Sequence, residues 1–81
     1  SGLLDVAIAG GFVIKPSNGW YQRVDTDTGE VLGTKVRTKD TLNAEFWEPI
    51  FETTNFAKFL EKTYKVGYNS EIDPQTIVEA I

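Results

Sequence analysis

The chain has 81 residues, 41% of them hydrophobic and 12% aromatic, enough for one packed core and too few for two. Charged residues make up 25%, the net charge is −4, and no apolar run approaches the roughly eighteen residues of a membrane span. Cysteine and histidine are both absent, which excludes disulfide scaffolds, zinc fingers, thiolate nucleophiles, Ser-His-Asp triads and histidine bases. Carboxylates, hydroxyls, lysine and backbone groups remain, and that toolkit argues against an enzyme.

Residues 1–9 read as a short apolar helix. Ser1 suits an N-cap, Leu4 and Ile8 lie one turn apart with Leu3 and Ala7 beside them, and Gly10-Gly11 ends it. The segment has no leader, as the cut end of a longer chain would. Phe12-Val13-Ile14-Lys15 is a strand closed by the turn residues Pro16-Ser17-Asn18-Gly19, and residues 20–24 form the returning strand. A second turn, Asp25 to Gly29, leads into a third strand over residues 31–39. Three strands on two short turns make an antiparallel meander.

After Thr41 the period changes from two to about 3.6. Phe46 and Ile50, and Trp47 and Phe51, are one turn apart, and Pro49 marks a helix that starts close to it or bends there. Thr54 caps a second helix with Phe56, Phe59, Leu60, Thr63 and Tyr64 on one face, Lys58, Glu61, Lys62 and Lys65 on the other, and Gly67 as its stop. Asp73 and Pro74 open a third, with Ile77, Val78 and Ile81 apolar, which stops in mid-pattern. The expected fold is α+β in a single domain over residues 1–81: a short N-terminal helix, the meander, then two to three helices packed on one sheet face.

Charge is unevenly spread. Residues 12–39 carry a balance of +2 and residues 40–81 one of −5. Strand parity places Phe12, Ile14, Trp20, Val24, Leu32 and Val36 on a core face. Lys15, Arg23, Lys35, Arg37 and Lys39 fall on the other, with Val13, Tyr21 and Asp25. Such a face either decorates the sheet and discourages edge pairing or tracks the phosphates of a nucleic acid. Trp20 and Trp47 fit core anchors better than base-stacking platforms, because each sits in an apolar stripe.

Three other constellations carry less. The stretch from Asp25 to Glu30 resembles a calcium loop, but its glycine is fifth rather than sixth and Val36 stands twelfth, so a hairpin turn fits better. Glu45, Glu48 and Glu52 at helical spacing form a solvated acidic face. Gly10-Gly11 lacks the Gly-Lys-Ser/Thr of a phosphate loop.

The run Ser-Gly-Leu-Leu-Asp-Val-Ala at 1–7 and the block Gly-Phe-Val-Ile-Lys-Pro-Ser-Asn-Gly-Trp-Tyr at 11–21 resemble the C-terminal region of RecA-family recombinases, their phage members above all. Asp-Thr-Gly-Glu at 27–30, Arg-Thr-Lys-Asp-Thr at 37–41 and Phe-Trp-Glu-Pro-Ile-Phe at 46–51 agree in order and spacing. The resemblance implies an ATP- and magnesium-dependent strand-exchange protein of a phage, acting in the host cytoplasm, with its nucleotide site upstream of Ser1. This chain would be its excised C-terminal domain, holding no cofactor itself. In the family that domain is a gateway that engages double-stranded DNA, and two of its lysines map onto Lys15 and Lys39. Both belong to the basic parity face, and that agreement favours DNA as partner. The basic face itself, which uses charge rather than base readout, is expected to bind weakly and without sequence preference. Contact with other protomers of the recombinase filament is a further implied role. The alternative is a protein-interaction module that binds a mediator or a neighbouring protomer through its acidic helices.

Overall fold

The computed structural model describes residues 2–66, and the helix expected beyond Asp73, with the stop at Gly67, lies outside them. Helix α1 (Gly2–Ala9) leads into the strands β1 (Val13–Ser17), β2 (Trp20–Val24) and β3 (Val31–Arg37). They form one antiparallel sheet in the order β1-β2-β3. A 3₁₀ turn (Thr38–Leu42) then passes the chain to helices α2 (Ala44–Thr53) and α3 (Phe56–Val66). The α+β expectation holds for the described residues.

The end of α1 and the start of α3 each have a local cause. Glycine at 11 takes a φ of +83°, the left-handed geometry that terminates a helix, while the Phe12 amide donates to the Ala7 carbonyl. Gly10 serves packing instead: a Cβ there would sit 2.8 Å from the Phe59 ring and 2.9 Å from that of Phe12. Thr54 closes α2 and opens α3, since its Oγ1 accepts the Phe56 amide at 3.2 Å and donates to the Ile50 carbonyl. On the exposed side of α3, Lys65 Nζ meets Glu61 Oε1 at 2.6 Å, which holds the carboxyl below and the ammonium above their usual ranges.

The core lies where α1, one sheet face and the two helices meet. Leu4, Val6, Ala7, Phe12, Val13, Phe46, Trp47, Ile50, Phe56, Leu60 and Tyr64 are buried in one cluster. Phe56 is at its centre, 4.9 Å from Phe12, 5.2 Å from Phe51 and 5.9 Å from Trp47 between ring centroids. Trp47 also donates its Nε1 proton to the Thr41 carbonyl at 2.7 Å, which pins the 3₁₀ turn to α2.

Sheet register overturns the parity expected for β1 and β2. Val13 pairs with Arg23 and Tyr21 with Val36, so Val13, Tyr21, Arg23, Leu32 and Val36 share the helix-facing side. Ile14, Trp20 and Val24 turn to the outer side, where Ile14 is 44% exposed. β3 lies as parity placed it, with Leu32 and Val36 toward the helices and Lys35 and Arg37 on the outer side. Phe12 is buried because it precedes the strand and packs on α3, so it gives no reading of strand phase. Within β3, residues 33–35 bulge opposite Gln22, with Gly33 at φ +72°. The Gln22 amide fills that gap by donating to the Gly33 carbonyl at 3.0 Å.

Candidate nucleic-acid interface

Five cations were expected on one face, and the structure divides them. Lys15 and Arg23 belong to the helix-facing side of the sheet. Lys35 and Arg37 belong to the outer side with Trp20. Lys39 lies beyond β3, exposed on the 3₁₀ turn rather than in a strand. A shared face is therefore not what gathers them.

A shared end of the sheet gathers four. Trp20 pairs with both Ser17 and Arg37, and Tyr21 pairs with Val36, so the end of β1, the start of β2 and the end of β3 lie side by side. Lys15 Nζ lies 5.7 Å from the Tyr21 ring centroid, on one side of β2. Lys35 Nζ and Arg37 Cζ lie 4.9 and 4.2 Å from the Trp20 ring centroid, on the other. Lys39 follows two residues after Arg37. Among the described residues the ion pair is Lys65 with Glu61, and none of these four cations meets a carboxylate. The opposite end of the sheet is acidic, with Asp25, Asp27 and Glu30 in the β2–β3 turn. There the Asp25 carboxylate accepts the Asp27 amide at 3.0 Å and Gly29 takes φ +80°, so the loop is built as a turn.

Arg23 has a different task. Pro49 stands inside α2, five residues after its start, and has no amide proton to give the carbonyl four residues back, that of Glu45. Arg23 Nη1 donates to that carbonyl at 3.4 Å and to the Phe46 carbonyl at 3.2 Å, while its guanidinium lies 5.1 Å from the Phe46 ring centroid. Burial lowers its pKa from the usual value. Gly33 makes room, since a Cβ there would come within 2.5 Å of Arg23 Nη2. Arg23 thus ties the sheet to a proline-interrupted helix. Arg23→Met is expected to cost about 1–3 kcal/mol of stability, read from a denaturant titration, because it strands the Glu45 carbonyl. A midpoint unchanged from the parent would contradict this role.

Of the two tryptophans, Trp20 is the one that pattern reading misplaced. It was expected in the core, yet it stands outside the buried cluster, under two cations. Trp47 is buried as expected, with 3% of its surface exposed. The shallow cleft between sheet and α2 is lined by Arg23, Asp40, Glu45 and their neighbours, a mixture of charges that favours no one ion.

Sequence comparison places this small α+β domain in the recombinase C-terminal class. The chain belongs to the family of the C-terminal domain of the bacteriophage T4 recombination and repair protein (UvsX), whose family model matches residues 1–60. It is 44% identical over 84 aligned positions to the recombination and repair protein of Enterobacteria phage T4, covering 99% of this chain and 21% of that protein. The chain thus spans about a fifth of that relative's length. The phage-recombinase likeness carried by the Lys15-to-Tyr21 and Phe46-to-Phe51 blocks is borne out.

Proposed function

We propose that this domain engages duplex DNA for a phage recombination protein, holding backbone phosphates on the basic end of its sheet without reading sequence. The observation that carries it is the gathering of Lys15, Lys35, Arg37 and Lys39 at one sheet end with no carboxylate partner among the described residues. Phosphates repeat along a duplex at intervals that a cluster of free cations suits, and each contact releases counterions. Charge polarity supports one orientation. The β2–β3 turn and the exposed face of α2 carry Asp25, Asp27, Glu30, Glu45, Glu48 and Glu52, so approach by either of those sides meets repulsion. The ATP-dependent strand exchange of the whole recombinase belongs to the same proposal, as the activity this domain would feed.

Amide chemical-shift mapping with a short duplex at low salt tests it. Shifts are expected at residues 15–21 and 35–41. Shifts confined to α2 and α3, or none at all, would overturn the DNA reading, the former in favour of a protein-interaction module.

A further inference from the structure

Phosphate contact alone needs no tryptophan, and the core already has one in Trp47. Trp20 nevertheless stands on the outer face of the sheet, half-buried and outside the core cluster, with Arg37 Cζ 4.2 Å and Lys35 Nζ 4.9 Å from its ring centroid. It faces Ser17 and Arg37 across the ladder, next to the turn at Asn18 and Gly19, so the ring sits at the rim of the sheet. Ile14 and Val31, 44% and 58% exposed, extend an apolar strip along the same face. An indole beside a planar guanidinium and an ammonium matches one nucleotide in its two parts. The base offers a flat π face to the ring or to the guanidinium stacked on it, and the phosphate on either side of the base meets the cations. Bases within a duplex have both faces covered by their neighbours, so only an unpaired base fits.

We infer that Trp20, Lys35 and Arg37 form a stacking site for an unpaired nucleobase of a DNA single strand. The inference rests on the DNA reading of this sheet end and adds a preference for strands whose bases are free. Lys15 and Lys39 supply charge to either form of DNA, while Trp20 distinguishes them.

Fluorescence anisotropy of the 81-residue chain, with a labelled short thymidine strand and an abasic phosphodiester strand of equal length, separates charge from stacking. The base-bearing strand is expected to bind about tenfold tighter. Trp20→Ala should remove that difference. Should Trp20→Ala fail to fold, Trp20→Leu keeps apolar volume without a π face and carries the same comparison. Equal affinity of the parent for both strands, or a tenfold preference that survives in the variant, overturns the stacking site and leaves phosphate binding standing. Failure of every strand and duplex to bind at low salt overturns both.

Discussion

Trp47→Ala is expected to cost about 3–5 kcal/mol and so to leave the domain at or beyond the edge of unfolding at room temperature. The indole is 3% exposed and lies against Phe46 and Phe56 at centroid distances of 5.1 and 5.9 Å. Truncation opens a cavity at the junction of α2 and α3 and also strands the Thr41 carbonyl, which now accepts the Nε1 proton at 2.7 Å. A chain this short has little stability in reserve, so one core aromatic is a large share of the total. Trp20→Ala, in contrast, should shift the melt little, since that ring covers cations rather than filling the core. Circular dichroism melts of the two variants decide the matter. Equal losses, or the larger loss at Trp20, would mean that the core has been assigned to the wrong tryptophan.

The contrast between the two tryptophans marks how far the sequence could be read. Turn positions were legible where one residue type fits: Asn18-Gly19 lies between β1 and β2, and Gly11 ends α1 at positive φ. The helices were legible because Phe46, Trp47, Ile50, Phe56, Leu60 and Tyr64 recur at helical spacing and are all buried. Strand phase was not, because β1 and β2 each contain an apolar dipeptide, Val13-Ile14 and Trp20-Tyr21. Either member could face inward, and hydrophobicity does not choose between them. Tertiary context chose Val13 and Tyr21, which pack on the helices.

The reassignment of Arg23 was legible only in hindsight, though its signal was present. A proline within a helix leaves a carbonyl one turn earlier without its donor, so a donor must come from elsewhere. Glycine inside a strand likewise announces a bulge, and Gly33 supplies both the bulge and the space for the guanidinium. Which arginine answers Glu45 depends on sheet register, a property of the folded chain. The candidate site followed the same rule. Its residue types were evident in the sequence, while their gathering at a sheet end rather than on a sheet face required the pairing of β2 with β3.

Removing Lys15, Lys35, Arg37 and Lys39 together should abolish duplex binding, and removing them singly should show how binding is built. With three or four phosphate contacts, log affinity should fall against log salt with a slope near −3, each contact releasing about 0.9 counterion. That slope corresponds to a loss of roughly 60-fold between about 50 and about 200 mM salt. Non-specific affinity near physiological salt is expected on the order of 10⁻⁴ to 10⁻⁶ M, held at the weak end by the net charge of −4. Lys15→Ala with Lys39→Ala should flatten the slope by about two without moving the melting temperature, since both side chains are exposed. Arg23→Met should do the reverse, lowering stability while leaving the slope of the folded chain unchanged, because its guanidinium is turned toward the Glu45 and Phe46 carbonyls. Salt titrations of the three proteins at a temperature where each is folded separate the two kinds of cation. A slope that drops by about one in Arg23→Met would return Arg23 to the phosphate surface, and a slope unmoved by loss of Lys15 and Lys39 would remove both from it.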